Sequence, residues 1–246
     1  MAVMIRAYYG KSDVGLRRPN NEDAWLVAPD LDVCAVADGM GGAAAGELAS
    51  RIFIETVREL FSRNRPKNEE DALELAREAF RFGNQRIFSF AAANEGHQGM
   101  GCTAELMAFH DDRYVMGHVG DSRTYLFRDG ILRRATRDHS LVQSQLDQGL
   151  ITEEEARAHS MRHVILNALG IKDTLALDLT RGACRAGDVF LLCSDGLTDM
   201  VEDEVIRDIL ASGANPSSMV DALIERAKSA GGLDNITVVL CLVLPS

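Results

Sequence analysis

Val36-Ala37-Asp38-Gly39-Met40-Gly41-Gly42 is the stretch on which the reading of this chain turns. The apolar run Val33-Cys34-Ala35-Val36-Ala37 leads into it, and a helix-like segment from Ala44 to Leu60 follows it. A strand that ends in one carboxylate and then turns on glycines delivers a single charge to a rim. Glycine reaches positive φ and lets backbone approach a ligand closely. A carboxylate beside a backbone carbonyl supplies the hard oxygen donors that Mg²⁺ or Mn²⁺ accepts. The same residues would also serve a tight strand-to-helix turn whose Asp merely caps the helix, so the rest of the chain has to decide.

The motif has echoes. Leu192-Cys193-Ser194-Asp195-Gly196-Leu197 again ends an apolar strand in Asp-Gly. Gly232-Leu233-Asp234-Asn235-Ile236 places an Asp just before the last apolar run. Val119-Gly120-Asp121-Ser122-Arg123 places one between two strands, and Asn21-Glu22-Asp23 places two acids before another. Each alone is ordinary turn chemistry. If the strand ends meet at one rim, four or five carboxylates converge there and repel unless cations neutralise them. Without a Cys or His pair nearby, such an oxygen cluster points to Mg²⁺ or Mn²⁺ rather than zinc. Two such ions about 4 Å apart can clamp a water and a phosphate.

The bulk properties agree. At 246 residues, 46% hydrophobic and 26% charged, the chain can bury a core as one domain, 1–246. A net charge of −11 excludes an ordinary nucleic-acid footprint. No apolar run approaches the roughly 20 residues of a membrane span, and residues 1–6 lack a signal-peptide layout. The cysteines, Cys34, Cys102, Cys184, Cys193 and Cys241, form no C-x-x-C pair. Their odd number argues against a disulfide framework, and a reducing cytoplasm is the expected address.

Periodicity predicts strands over 4–15, 24–27, 33–37, 101–109, 113–119, 122–128, 175–180, 188–194 and 235–243. It predicts helices over 44–63, 69–93, 152–158, 203–211 and 216–229, with 140–170 otherwise mixed and polar. Asp129-Gly130 carries a hairpin signal. Strand runs separated by helix pairs predict an α+β fold. The expected architecture is a four-layer α/β/β/α sandwich of two mainly antiparallel sheets flanked by antiparallel helix pairs.

Seven motifs, in order and spanning nearly the whole chain, resemble the metal-dependent protein Ser/Thr phosphatases of the type 2C (PPM) family in their compact bacterial form. They are G-L-R-R-P-N-N-E-D (15–23), V-A-D-G-M-G-G (36–42), G-C-T-A (101–104), G-H-V-G-D-S-R (117–123), D-H-S-L-V (138–142), L-C-S-D-G-L-T-D (192–199) and G-G-L-D-N-I-T-V (231–238). The resemblance implies the same sandwich, two Mn²⁺ or Mg²⁺ ions and a third, weaker one. It implies that Asp38 bridges two ions, that the Gly39 carbonyl binds one, and that Asp195 and Asp234 bind the other. Glu22 and Asp23 would act mostly through metal-bound water, and Asp121 with Asp195 would hold the third ion. Arg18 stands where the family places its phosphate-binding arginine, with Arg17 as the competitor. The implied reaction is hydrolysis of phosphoserine or phosphothreonine by metal-activated water, without a phosphoenzyme. The implied partners are phosphorylated proteins, among them a eukaryotic-like Ser/Thr kinase and its substrates, and the expected state is a monomer.

The chain departs from the pattern in two places. Many members carry a His directly after the Asp-Gly as a proposed general acid; here it is Met40, which donates no useful proton. Bacterial relatives often carry a His after the last glycine of this motif; here it is Ala43. His139 is the other proton-donor candidate, though a structural role is expected for it and packing for His118, with His97, His110, His159 and His163 at the surface. Segment 145–170 corresponds to the family's flap. Two alternatives are a non-catalytic phosphoprotein-binding relative, which would have lost metal-ligand acids, and another two-metal hydrolase such as a nuclease, which the acidity disfavours.

Overall fold

A computed structural model describes residues 4–244. The apolar runs are its strands: β1 (Ile5–Asp13), β2 (Ala24–Ala28), β3 (Val33–Ala37), β4 (Gly39–Met40), β5 (Gly101–Cys102), β6 (Ala104–His110), β7 (Arg113–Val119), β8 (Arg123–Arg128), β9 (Ile131–Arg134), β10 (Asp178–Ala183), β11 (Val189–Cys193) and β12 (Ile236–Leu244). The helices are α1 (Ala43–Arg63), α2 (Glu69–Ala93), α3 (Leu141–Asp147), α4 (Glu153–Ala158), α5 (Asp195–Thr198), α6 (Asp203–Ala211) and α7 (Pro216–Ser229). One sheet runs β1-β12-β11-β8-β9 and the other β10-β7-β6-β3-β2, with β4 and β5 a short separate pair. Every ladder is antiparallel.

Three apolar layers make this a four-layer α/β/β/α sandwich. Phe53, Val57, Phe80 and Ile87 of α1 and α2 pack on Leu106 and Val115 of the second sheet. Val220, Leu223 and Ile224 of α7, with Ile206 of α6, pack on Leu191 and Leu240 of the first. Between the sheets lie Val36, Met107, Phe109, Phe190, Leu192 and Val239. Strands such as β3 and β11 are buried on both faces, which is why they read as continuous apolar runs. The hairpin between β8 and β9 turns on Asp129 and Gly130, both at positive φ (54° and 78°), as the Asp-Gly signal anticipated.

Some elements differ from the predicted ranges. The run 101–109 breaks after Cys102, because Gly101 and Cys102 pair with Met40 and Gly39 rather than with β3. The strand placed at 175–180 lies at Asp178–Ala183. Leu175 and Leu177 pack against the core from the preceding loop, and the edge strand itself has no fully buried residue. Within the mixed segment, Ser140 caps α3 by accepting a hydrogen bond from the Gln143 amide at 3.3 Å. None of that helix is fully buried, so no apolar stripe announced it.

Candidate metal centre

Inner strands of both sheets end at one rim. Asp38 leaves β3 there, its amide donating to Thr103 Oγ1 at 3.1 Å and its carbonyl accepting from the Thr103 amide at 2.8 Å. Asp195 opens α5 directly after β11, and Asp234 stands just before β12. These three, with Arg18, Glu22 and Gly39, line one cavity of about 540 Å³. Asp121, in the turn between β7 and β8, lines a neighbouring cleft of about 630 Å³ that shares Asp195 with the first. Asp23 sits beneath the rim, accepting from Ser194 Oγ at 2.8 Å and Thr237 Oγ1 at 2.6 Å. The structure therefore brings together all the acids singled out from the sequence.

The loop that carries Arg18 and Glu22 is tied down by one side chain. Asn235 Nδ2 donates to the carbonyls of Val14 (3.0 Å) and Asn20 (2.9 Å), and its Oδ1 accepts from the Glu22 amide at 2.8 Å. Two glycines permit the close packing behind the acids. A Cβ on Gly39 would lie 2.1 Å from the Gly46 carbonyl oxygen and 2.6 Å from that of Glu22. A Cβ on Gly196 would lie 2.0 Å from the Asn235 carbonyl oxygen.

The electrostatics mark the site as incomplete without cations. Burial, then Asp23, Asp195, Asp121 and Asp234 in turn, pushes the Asp38 carboxyl well above the ordinary range. Burial, then Asp121 and Asp199, does the same to Asp195. Burial raises Asp121 to about 7, with Asp138 adding to the rise. Burial raises Asp23 to about 6 against the opposing bonds from Thr237 and Ser194. Oδ1 of Asp23, of Asp121 and of Asp195 is buried without a hydrogen-bond donor. Buried anionic oxygens without donors are costly, and hard cations are the groups that satisfy them. This donor set fits Mg²⁺ or Mn²⁺. Among these groups Arg18 is the one cation in hydrogen-bond contact, its Nη2 donating to Asp234 Oδ2 at 2.6 Å.

The fold and this arrangement have known counterparts. Residues 17–230 match the family described as Protein phosphatase 2C. The chain belongs to that family. The serine/threonine protein phosphatase PstP of Mycobacterium tuberculosis is 41% identical over 237 residues, covering 96% of this chain and 45% of PstP. The chain thus spans less than half of that relative. The protein phosphatase PhpP of Streptococcus pneumoniae is 35% identical, covering 93% of this chain and 94% of PhpP. The crystal structure of M. tuberculosis PstP/Ppp superposes with a TM-score of 0.91 at 40% identity, covering 98% of this chain and 99% of that one. The PstP catalytic domain in complex with two manganese ions superposes with a TM-score of 0.90 at 38% identity, covering 98% of this chain and 100% of that one.

Within this protein phosphatase 2C fold, the structure adds residues that the sequence reading did not single out. Asp199 lies one turn beyond Asp195, its amide donating to the Asp195 carbonyl at 2.8 Å. Its Oδ2 is 3.5 Å from His163 Nδ1 and 3.9 Å from Arg162 Nε, so His163, expected at the surface, and its neighbour Arg162 face the acids. The i, i+4 spacing of Asp195 and Asp199 was the available signal. His139 is held by local hydrogen bonds: its Nδ1 accepts from the Gly120 amide (3.2 Å) and Asn167 Nδ2 (3.1 Å). The five cysteines are free and buried, as their apolar settings implied. His118 does more than pack, since it faces a buried glutamate, Glu105, that the sequence reading passed over.

Proposed function

We propose that this chain is a protein-serine/threonine phosphatase that uses two Mn²⁺ or Mg²⁺ ions, with a weaker third. We propose that it opposes a bacterial eukaryotic-like Ser/Thr kinase in a cytoplasmic signalling pathway. The observation that carries this reading is the convergence of unpartnered, buried carboxylate oxygens beside Arg18. Asp38 with the Gly39 carbonyl, and Asp195 with Asp234, would hold the two core ions, with Glu22 and Asp23 around them. Asp121 with Asp195 would hold the third. Bound there, the ions supply the positive charge that offsets the acids, lowers the pKa of a water and accepts phosphoryl oxygens.

The chain's own groups do the rest. Arg18 offers a planar fork to two phosphate oxygens. Met40 occupies the rim without a transferable proton, so the leaving alkoxide must take its proton from a group other than that position. Asp23 keeps Ser194 and Thr237 engaged, which fixes the starts of α5 and β12 where Asp195 and Asp234 project. Burial pushes the Cys102 and Cys193 thiols well above their ordinary range, away from a thiolate nucleophile, in keeping with direct attack by water. We read residues 1–246 as one catalytic unit acting as a monomer, with 145–170 as its flap. Among the described residues no helix is long and apolar enough to cross a membrane.

Turnover of a phosphothreonine peptide and of an autophosphorylated kinase, titrated with Mn²⁺ and then with chelator, tests the reading. Activity must appear with the metal, vanish with chelator and be lost in Asp195→Asn. Undiminished hydrolysis in excess chelator, or preference for a nucleotide diester over the phosphopeptide, would refute it.

A further inference from the structure

Beneath the rim lies a charge pair that the phosphoryl chemistry does not use. Glu105 of β6 and His118 of β7 are opposed in register, with 0% and 1% of their side chains exposed. One Glu105 oxygen meets His118 Nδ1, and the other accepts from Thr124 Oγ1 at 2.5 Å. His118 Nε2 donates to the Arg137 carbonyl at 2.9 Å. With Glu105 ionised, both ring nitrogens face acceptors, so both carry hydrogens and the ring is an imidazolium. A buried ion pair of this kind is weak as a source of stability, because desolvation offsets its attraction. Its use is better sought in what it holds in place.

It holds residues 137–139, where the chain leaves the sheet for the flap. The Arg137 carbonyl is bonded directly, and the His139 ring lies against the His118 ring with centroids 4.6 Å apart. The His139 amide donates to the Gly120 carbonyl at 2.6 Å, and the Gly120 amide returns a bond to His139 Nδ1 at 3.2 Å. His139 Nε2 donates to Asp178 Oδ2 at 3.3 Å, and Asp138 accepts from Arg123 Nη2 at 2.7 Å. The flap's neck closes on the same residues: the Leu166 amide donates to the His139 carbonyl at 2.7 Å, and the Leu141 amide to that of Val164 at 2.9 Å. Gly120 immediately precedes Asp121. One buried pair thus stands under both the flap's neck and the turn that carries an acid of the metal centre.

We propose that the Glu105–His118 ion pair is a positioning device: it pins residues 137–139 to the Gly120–Asp121 turn, so that Asp121 and the flap are placed together. His118 and Glu105 touch neither substrate nor metal; they act through Asp121 and the neck. The kinetic part of this inference rests on the phosphatase reading, and the structural part does not.

The test uses the whole chain with Glu105→Gln and His118→Gln, each keeping side-chain volume while removing the charge pair, and their double variant. Three quantities are read: thermal stability, the Mn²⁺ concentration for half-maximal phosphopeptide turnover, and the rate of tryptic cleavage at Arg157 and Arg162 in chelator. Folded variants are expected to need about tenfold more Mn²⁺, in line with the loss of a group that orients a metal ligand. They are also expected to be cut severalfold faster in the flap, and the double variant to behave like either single one because the two residues act as a unit. Folded variants with wild-type Mn²⁺ dependence and flap cleavage would overturn the proposal, since a merely structural role moves only stability. Should neither fold, Glu105→Asp takes their place, and ring ¹⁵N resonances of His118 in the metal-free wild type give a direct reading: an uncharged ring at pH 7 overturns the pair. Absence of phosphatase activity in the wild type would refute the functional reading and leave the cleavage and resonance measurements to decide this one.

Discussion

Replacing Asp121 by Asn should stabilise the metal-free protein while weakening its response to metal. The carboxyl is 9% exposed and its Oδ1 has no donor. Burial, with Asp138 next, raises it from its ordinary value of 3.8 to about 7. A carboxyl that holds its proton more tightly when folded than when unfolded carries no penalty below about pH 4. The penalty grows as pH rises between the two values and is complete above the folded one. At about 1.4 kcal/mol per pH unit, the span from 3.8 to about 7 gives a ceiling of about 4 kcal/mol lost at pH 8. The Asn amide must itself find a partner, which takes back about 1–2 kcal/mol. The net gain should be about 2–3 kcal/mol, or roughly 4–12 °C for a chain of this size. Calorimetry in chelator at pH 4.5 and pH 8 reads it: the variant should melt well above wild type at pH 8 and close to it at pH 4.5. Saturating Mn²⁺ should raise the wild type more than the variant, because cations bound to the folded state stabilise by mass action. A variant that melts at or below wild type at pH 8 in chelator, or whose advantage is the same at both pH values, would refute the reasoning.

Arg18→Lys should raise KM for a phosphopeptide by roughly tenfold with a smaller fall in kcat, because a point charge replaces a fork; an unchanged KM would move the role to Arg17. Asn235→Ala removes bonds to Val14, Asn20 and Glu22. At about 1 kcal/mol each, denaturant melts should show a loss of about 3 kcal/mol, with KM raised through the displaced Arg18 loop. Gly196→Ala would press a methyl to 2.0 Å from the Asn235 carbonyl oxygen. Relief requires moving the start of α5, so stability should fall by about 1–3 kcal/mol and Mn²⁺ affinity with it; a variant with wild-type melting and metal titration would show the backbone to be softer than the packing implies.

Legibility from sequence followed burial. The inner strands β3, β11 and β12 are apolar on both faces, and α6 and α7 carry clear stripes, so their positions could be read directly. The edge strand β10 and the helix α3 bury little and left no pattern. The acids could be found because each stands beside the end or the start of an apolar run, and their order along the chain carried the family resemblance. What could not be read were contacts between distant residues: the Asp199–His163 approach, the Asn235 clasp and the Glu105–His118 pair. Glu105 is the clearest case. It interrupts an otherwise apolar strand and reads as an exposed position, whereas its charge is answered from the neighbouring strand at zero exposure.

Under the proposed roles of Arg18 and Asp234, the bond between them would link metal and phosphate recognition. Arg18 Nη2 sits 2.6 Å from Asp234 Oδ2, and that bond is the first cause holding the guanidinium pKa above its usual value. The arginine proposed for phosphate is therefore engaged by an acid proposed for metal. A cation at Asp234 would supply the positive charge that Arg18 otherwise provides and would weaken the hold of the carboxylate on the guanidinium. Arg18 would then have donors to spare for a phosphate. The linkage is reciprocal, since a phosphate that draws Arg18 away leaves Asp234 more strongly disposed to a cation. Both side chains are partly exposed, 50% and 34%, so water screens the bond and little stability is lost when it breaks. An acidic rim that would repel a phosphate by itself becomes, with cations present, one that admits it.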